Sequence, residues 1–270
     1  MDTAHPTLGL PKRNFSKFRS PLWLSSHRLM FARARRVGAL TMCERARALV
    51  SMASPVHVPA LSTAPKTADG ARELYDQWAE GYDEALLSWD YPAPSRCAEI
   101  LKQAGAAGTA RILDIGCGTG MSGEALRAMG LGASGGGIVG LDISSVSCEL
   151  ARAKGCYESA HVANLNELLP VEDCGFDAAV CVGVLSYIER FDVLAPEICR
   201  VLKLGAPCVL THRIELWDSD DRGCRTAFEA LVAAGHMELT VGGPEAYMPR
   251  NPDPSEQAKR IRIITARRVS

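Results

Sequence analysis

The sequence predicts an α/β fold: a doubly wound, mostly parallel seven-stranded sheet with helices on both faces. Two observations lead to this prediction. From about residue 70 to residue 213, short apolar runs of the length of buried strands alternate with helical stretches. A glycine-rich turn follows the first of these runs, and ligands of open α/β sheets bind beyond the carboxyl ends of the strands.

Three helices are predicted from local patterns. Apolar and aromatic side chains recur at helical spacing over residues 71–87, while acidic and amide side chains, including Asp76, fill the other face. A second helix over residues 94–105 is expected to end near Gly105. The stretch at 121–130, which follows the glycine turn, is predicted as a third helix.

Seven strands account for the apolar runs. The last two are expected to form a hairpin at the sheet edge. Between the fifth and sixth strands, the acidic segment 215–223 is predicted as a loop, which either covers a pocket or is simply solvated. The predicted strands lie at residues 110–115, 138–143, 159–165, 176–185, 207–213, 236–241 and 260–269.

Residues 1–69 are predicted to be a leader and linker, and residues 70–270 the folded domain. Residues 1–60 contain ten Lys and Arg but two acidic residues, and their Arg- and Ser-rich composition fits a mitochondrial or plastid transit peptide. The alternatives are a disordered tail, or upstream sequence if translation starts at Met42 or Met52. Without a targeting leader, the protein is expected in the cytoplasm.

Composition excludes several classes of function. Beyond residue 60 acidic residues outnumber basic ones, which disfavours a nucleic-acid partner. The ten cysteines include no C-x-x-C pair and are interpreted as reduced thiols. The six histidines are dispersed, so no metal is expected. No apolar run approaches the roughly 18 residues of a membrane span.

The stretch LDIGCGTG, residues 113–120, is the main candidate for a ligand site. Its glycines allow a tight turn and let a ligand approach the backbone closely. Asp142 ends the next predicted strand, 22 residues after Gly120, where a carboxylate can accept hydrogen bonds from two ribose hydroxyls. Both a dinucleotide and S-adenosylmethionine need such an acid.

Asp114 distinguishes between these two ligands. A carboxylate repels a pyrophosphate but attracts the ammonium and sulfonium groups of S-adenosylmethionine. The spacing D-x-G-x-G-x-G also differs from the dinucleotide pattern G-x-G-x-x-G. The residues therefore favour S-adenosylmethionine, and a dinucleotide or nucleotide-sugar enzyme is the alternative.

With these motifs, residues 72–240 resemble the class I S-adenosylmethionine-dependent methyltransferases, which have a Rossmann-like fold. Asn164 stands where that family usually has an acid near the adenine amino group, and an amide oxygen can still accept that hydrogen bond. The turn before the fifth strand has Leu204 and Ala206 in place of the usual proline and glycine. The resemblance implies cofactor contacts from Asp114, Gly116, Cys117, Gly118, Gly120, Asp142, Ile143, Asn164, Leu165, Val182 and Gly183.

The first helix adds a narrower resemblance. Its sequence YDQWAEGYDEALLSWDYPAP, residues 75–94, is similar to a segment of the Williams–Beuren-region methyltransferase-like proteins. That resemblance implies a helix that closes over the cofactor, with Tyr75, Trp78 and Tyr82 beside its methionine end. The alternative is that these aromatic side chains only pack into the core.

The resemblance implies methyl transfer by in-line displacement, within EC 2.1.1. A small-molecule acceptor is expected, because the acidic residues beyond residue 60 disfavour a nucleic-acid acceptor. The donor is already activated, so the protein needs mainly to position the reactants and exclude water. Tyr187 and His212 are weak candidates for catalytic residues, and the alternative for each is a structural role. Because no general base is evident, a binding protein for S-adenosylmethionine or S-adenosylhomocysteine, acting as a sensor or partner without turnover, is the alternative function.

Overall fold

The structure is a computed structural model that describes residues 66–133 and 135–270. The predicted leader falls almost entirely outside these residues, so it stays a prediction. The described helices and strands are α1 (Ala68–Ser88), α2 (Ala93–Gln103), β1 (Ile112–Ile115), α3 (Met121–Ala128), β2 (Ile138–Asp142), α4 (Ser145–Ala153), β3 (Ser159–Val162), β4 (Ala178–Cys181), α5 (Phe191–Val201), β5 (Pro207–Arg213), α6 (Ile214–Ser219), α7 (Cys224–Ala233), β6 (Met237–Ala246), α8 (Pro254–Gln257) and β7 (Arg260–Arg268).

The seven strands form one sheet in the order β3-β2-β1-β4-β5-β7-β6. The first five strands pair in parallel, and β7 pairs antiparallel with both β5 and β6. This confirms the predicted doubly wound, mostly parallel sheet with a hairpin at one edge. The strand order reverses between β1 and β4, which is where such sheets form a ligand crevice.

Apolar layers cover both faces of this sheet. One layer contains the fully buried rings of Phe176, Phe191 and Phe228. The other contains Leu101 from α2 and Leu126 from α3. Because the central strands are buried on both faces, nearly every residue in them is apolar, which is why the sequence shows them as continuous hydrophobic runs.

Helix α1 is attached by a third apolar cluster, in which Trp78, Leu86 and Trp89 pack against Met248 from the connection between β6 and β7. The Thr67 hydroxyl caps the helix by accepting a 3.1 Å hydrogen bond from the Gly70 amide. The packing fixes which face of α1 is turned toward the sheet.

Two predicted elements differ from the structure. The chain leaves the sheet after Cys181, earlier than the run 176–185 suggests, because Gly183 adopts a φ of +76° and residues Leu185–Tyr187 form a 3₁₀ turn. The segment 215–223 is not simply a loop, since α6 takes up its first half. The buried indole of Trp217 packs into the core there, and this outweighs the acidic character of the segment.

Among the described helices, none is long and apolar enough to cross a membrane. The nine cysteines in this part of the chain are free thiols.

Candidate functional site

The glycine loop between β1 and α3 has a conformation that glycine favours. Gly116, Gly118 and Gly120 have φ values of +78°, +51° and +100°. A Cβ atom on Gly116 would lie 2.2 Å from the Val184 Cγ2 atom, so this position is closed to larger residues on steric grounds as well. The loop therefore presents bare backbone at the crevice.

Asp142 holds this loop from the end of β2. Its Oδ2 atom accepts a 2.8 Å hydrogen bond from the Gly118 amide, and its Oδ1 atom accepts one of 2.9 Å from the Ser144 amide. Burial raises the pKa of this carboxyl group against the opposing effect of those two amides. A carboxylate has about four acceptor positions, so Asp142 can still accept from two hydroxyls.

Asp114 lies behind the loop and is fully buried. Its Oδ2 atom accepts a 2.6 Å hydrogen bond from the Tyr157 hydroxyl, which itself accepts one of 3.0 Å from the Gly123 amide. The Oδ1 atom is buried and has no hydrogen-bond partner among the described residues. Burial raises the pKa of Asp114 to about 7. A positive charge nearby would favour its ionised form.

A cavity with about 680 Å³ of empty space, part of it open to solvent, lies above the loop. It is closed on one side by α1. The predicted cofactor contacts that line it are Tyr75, Tyr82, Gly116, Gly118, Asp142, Ile143, Asn164, Leu165, Val182 and Gly183. We refer to it as the first cavity.

A second cavity of about 480 Å³ adjoins the first. The two cavities share four lining residues: Tyr75, Tyr82, Gly183 and Tyr187. Trp78 and Ser186 line the second cavity alone. Its remaining lining residues are Lys66, Leu86, Tyr91, Arg213, Tyr247, Met248, Glu256 and Lys259.

Some predicted site residues line neither cavity. Asp114 lies behind the glycine loop, and Gly120 caps the start of α3. Cys117 is buried beneath β2, and its interaction with Cys148, together with burial, raises the pKa of its thiol. Cys117 therefore stays a neutral thiol that packs the loop.

His212 also lies outside both cavities. Its ring is buried beside Phe191, with ring centroids 6.2 Å apart. Burial lowers the pKa of His212 to about 4, and its Nδ1 atom has no partner among the described residues. The imidazole is neutral and does not reach the cavity walls, which corresponds to the structural alternative weighed for it. Tyr187, the other catalytic candidate, lines both cavities.

Two acids that hold α1 in place were not predicted from the sequence. The Asp76 carboxylate, on the face opposite the apolar one, accepts a hydrogen bond from the Ser144 hydroxyl. Asp83 accepts one from the Thr119 hydroxyl of the glycine loop. The signal in the sequence is the Tyr-Asp pair that recurs after seven residues, since this spacing returns both pairs to one side of a helix.

Among the described residues, no group of three or more His, Cys, Asp or Glu side chains could hold a metal ion.

Comparison with known proteins identifies the family. The sequence profile described as a methyltransferase domain matches residues 113–210. The human methyltransferase-like protein 27 is 35% identical over 178 residues, which cover 63% of this chain and 69% of the relative. The chain belongs to the class I S-adenosylmethionine-dependent methyltransferases. This confirms the family that the glycine loop and Asp142 predict.

More distant similarities to this methyltransferase are found in sequence and in fold. The ubiquinone biosynthesis O-methyltransferase of Alkalilimnicola ehrlichii is 26% identical over 163 residues, 55% of this chain and 64% of the relative. An S-adenosylmethionine-dependent methyltransferase of Thermotoga maritima, described as a possible histamine N-methyltransferase, superposes with a TM-score of 0.51 at 15% identity, covering 74% of this chain and 99% of its own.

The [4+2]-cyclase SpnF also has this fold, with a TM-score of 0.52 at 21% identity, over 76% of this methyltransferase and 98% of the cyclase. Since that protein is named for a cyclisation, the fold by itself does not fix the reaction. The evidence on the reaction therefore comes from the residues of the two cavities.

Proposed function

We propose that this chain transfers the methyl group of S-adenosylmethionine to a small-molecule acceptor by in-line displacement, a reaction of EC 2.1.1. The observation that carries the proposal is the pair of adjoining cavities with a common wall. The first contains the glycine loop and Asp142, and the second meets it at Tyr75, Tyr82 and Tyr187. One cavity suits a donor and the other an acceptor.

The residues of the first cavity fit an adenosyl ligand with a positively charged end. Asp142 has acceptor positions for ribose hydroxyls, and Asn164 offers an amide toward an adenine ring. Asp114 lines neither cavity, so its buried carboxyl group, at the start of the glycine loop, would act on a bound cation only through its charge. When bound, S-adenosylmethionine supplies a methyl group that is already activated on a cationic sulfur.

The tyrosines on the common wall contribute mainly position and surroundings. Burial raises the pKa values of Tyr75, Tyr82 and Tyr187, so all three stay protonated at neutral pH and do not act as bases. Their hydroxyls can orient an acceptor, and their ring faces suit a cationic centre. The chain thereby aligns two reactants and excludes water, which is the main requirement for displacement from an activated donor.

The lining of the second cavity supports a small acceptor. Six of its fourteen lining residues are aromatic, and aromatic side chains with a few polar groups are typical of small-molecule sites. The excess of acidic residues beyond residue 60 disfavours a nucleic-acid acceptor.

The proposal is tested by incubating the protein with S-adenosylmethionine and a fractionated metabolite extract. Mass spectrometry should detect S-adenosylhomocysteine that accumulates in some fractions and is absent with Asp142→Ala. Calorimetry with S-adenosylhomocysteine and with NAD should show binding of the first compound only. Tight binding of S-adenosylhomocysteine without its formation in any fraction would contradict transfer and favour a sensor or partner protein.

A further inference from the structure

The second cavity contains more positive charge than a purely apolar acceptor needs. Three cationic side chains line it, those of Lys66, Arg213 and Lys259, together with one carboxylate, that of Glu256. Glu256 is 4% exposed and forms an ion pair with Lys259, so its charge is already balanced.

Arg213 also has an acidic neighbour, but that neighbour lies outside the cavity. The Glu215 side chain, which pairs with Arg213, is 47% exposed, whereas the Arg213 side chain is 21% exposed. Water therefore screens the carboxylate more than the guanidinium, and the wall of the cavity keeps a positive potential.

The position and the pKa of Lys66 are further evidence for this positive potential. Its ammonium nitrogen lies 4.8 Å from the centroid of the Tyr187 ring on the common wall. Burial lowers the pKa of Lys66, and the positive charges of Arg213 and Lys259 lower it further, against the opposing effect of Glu256. An anion bound among these groups would relieve the repulsion between them.

Six of the other ten residues that line the second cavity are aromatic. Tyr91 and Tyr247 contact each other edge to face with centroids 5.4 Å apart, and Tyr75 contacts Tyr187 in the same way at 5.6 Å. Such walls pack well against a flat apolar body. Ring faces also attract cations, but the three cationic side chains in the same small volume oppose a cationic acceptor.

We propose that the methyl acceptor is a small, flat, apolar or aromatic carboxylate. Its carboxylate faces Arg213, Lys66 and Lys259, and a nucleophilic oxygen, nitrogen or sulfur atom at its other end faces the tyrosines shared with the first cavity. That atom forms a bond to the methyl carbon as the bond between the methyl carbon and the sulfur breaks, S-adenosylhomocysteine leaves, and any proton on the accepting atom passes to solvent. The planar guanidinium of Arg213 suits a carboxylate because it can donate two parallel hydrogen bonds. This inference rests on the proposed function, since it takes the second cavity as the acceptor site.

Calorimetry on the protein saturated with S-adenosylhomocysteine tests the inference. The probes are benzoate, 3-phenylpropionate and indole-3-acetate, the neutral amide of each, and 3-phenylpropylamine. At least one carboxylate should bind about tenfold more tightly than its amide, with the difference shrinking as salt increases, and the amine should not bind. Equal binding of acid and amide, preference for the amine, or no binding by any carboxylate would overturn the inference.

Substitutions of Arg213 test whether this residue causes the preference for carboxylates. Arg213→Gln should weaken carboxylate binding about tenfold, and Arg213→Lys should retain part of the affinity. Arg262→Gln is the matched control, because the Arg262 side chain is 25% exposed and pairs with Asp218 at 3.1 Å, yet lines neither cavity. Equal losses in Arg213→Gln and Arg262→Gln would contradict the assignment, and Lys66→Gln serves as the second variant if Arg213→Gln does not fold.

The initial titration with S-adenosylhomocysteine separates the two proposals. If the unsaturated protein does not bind that compound, the proposed function itself fails. If it binds that compound but shows no preference for carboxylates, only the assignment of the acceptor class fails.

Discussion

The Asp142 carboxylate accepts a 2.8 Å hydrogen bond from the Gly118 amide, so the end of β2 holds the glycine loop through the group expected to bind ribose. Asp142→Ala removes both functions. We expect at least about 100-fold weaker binding of S-adenosylhomocysteine in calorimetry, because each hydrogen bond to a charged group contributes about 1.5–3 kcal/mol.

Asp192→Ala is the control for this experiment. Asp192 is an exposed acid that pairs with Arg190 at 2.8 Å, away from both cavities. Its loss should leave the affinity unchanged. An unchanged affinity in Asp142→Ala as well would remove Asp142 from the site.

Gly116→Ala should destabilise the protein by about 2–4 kcal/mol in urea unfolding. The new methyl group would meet the Val184 side chain at 2.2 Å, and alanine is strained at a φ of +78°. Gly205→Ala separates the two causes, because Gly205 also has a φ of +78° but nothing within 4 Å of a Cβ atom. We expect about 1–2 kcal/mol there.

The double variant Gly116→Ala with Val184→Ala should recover part of the loss, since the smaller side chain leaves room for the methyl group. Equal destabilisation in Gly116→Ala and Gly205→Ala would mean that close contact with Val184 is unimportant.

Asp83→Ala should loosen α1. The substitution removes the hydrogen bond from Thr119 and the 2.6 Å ion pair with Lys154, which join the helix to the glycine loop and to the end of α4. Amide hydrogen exchange in α1 should become about tenfold faster, which corresponds to about 1.4 kcal/mol. Glu84→Ala is the control, because Glu84 is an exposed neighbour on the same helix, and it should leave amide exchange unaltered. Comparable acceleration of exchange in both variants would exclude a specific role for Asp83.

Stability should depend on pH through Asp114. Burial raises its folded pKa to about 7 from the ordinary 3.8, so the folded chain holds this proton more tightly than the unfolded chain does. The resulting stabilisation is complete below about pH 4 and is lost as the pH rises through 7. Between low and high pH, the contribution of Asp114 to the free energy of unfolding should change by on the order of 4 kcal/mol.

Urea unfolding of the unliganded protein between pH 4 and 8 measures this contribution. The stability of the wild type relative to Asp114→Asn should fall as the pH rises. Asp177→Asn is the control, and its difference from the wild type should stay nearly constant over this range. Burial opposes the shift, but hydrogen bonds from Lys203 and the Arg111 amide lower the pKa of Asp177 below its ordinary 3.8, so its titration falls below pH 4. A constant difference between wild type and Asp114→Asn would show that Asp114 titrates normally.

The site residues that directly follow buried strands could be predicted from the sequence. The residues that only the folded chain brings together could not. Gly116, Gly118 and Asp142 follow buried strands, so local pattern is enough to bring them to one edge of a parallel sheet. Arg213 and Tyr247, by contrast, reach the second cavity from β5 and from the connection after β6. No local pattern indicates that they meet.

Helix α1 shows a related limit. Periodicity correctly placed Tyr75 and Tyr82 on one face and Asp76 on the other, but it gives no information about neighbouring segments. The hydroxyl of Ser144, 68 residues away, donates a hydrogen bond to the Asp76 carboxylate. In the segment 215–223, frequent acids suggested a loop, yet the single buried side chain of Trp217 was enough to anchor a helical turn.

Tyr75 and Tyr82 line both cavities from a single helix. A ligand in one cavity that restricts the motion of α1 therefore also fixes these side chains in the wall of the other cavity. Thermodynamic linkage then requires reciprocity: the affinity gained by the second ligand from the first equals the affinity that the first gains from the second. The binding of donor and acceptor would thus be coupled through α1, in addition to the direct contact between them.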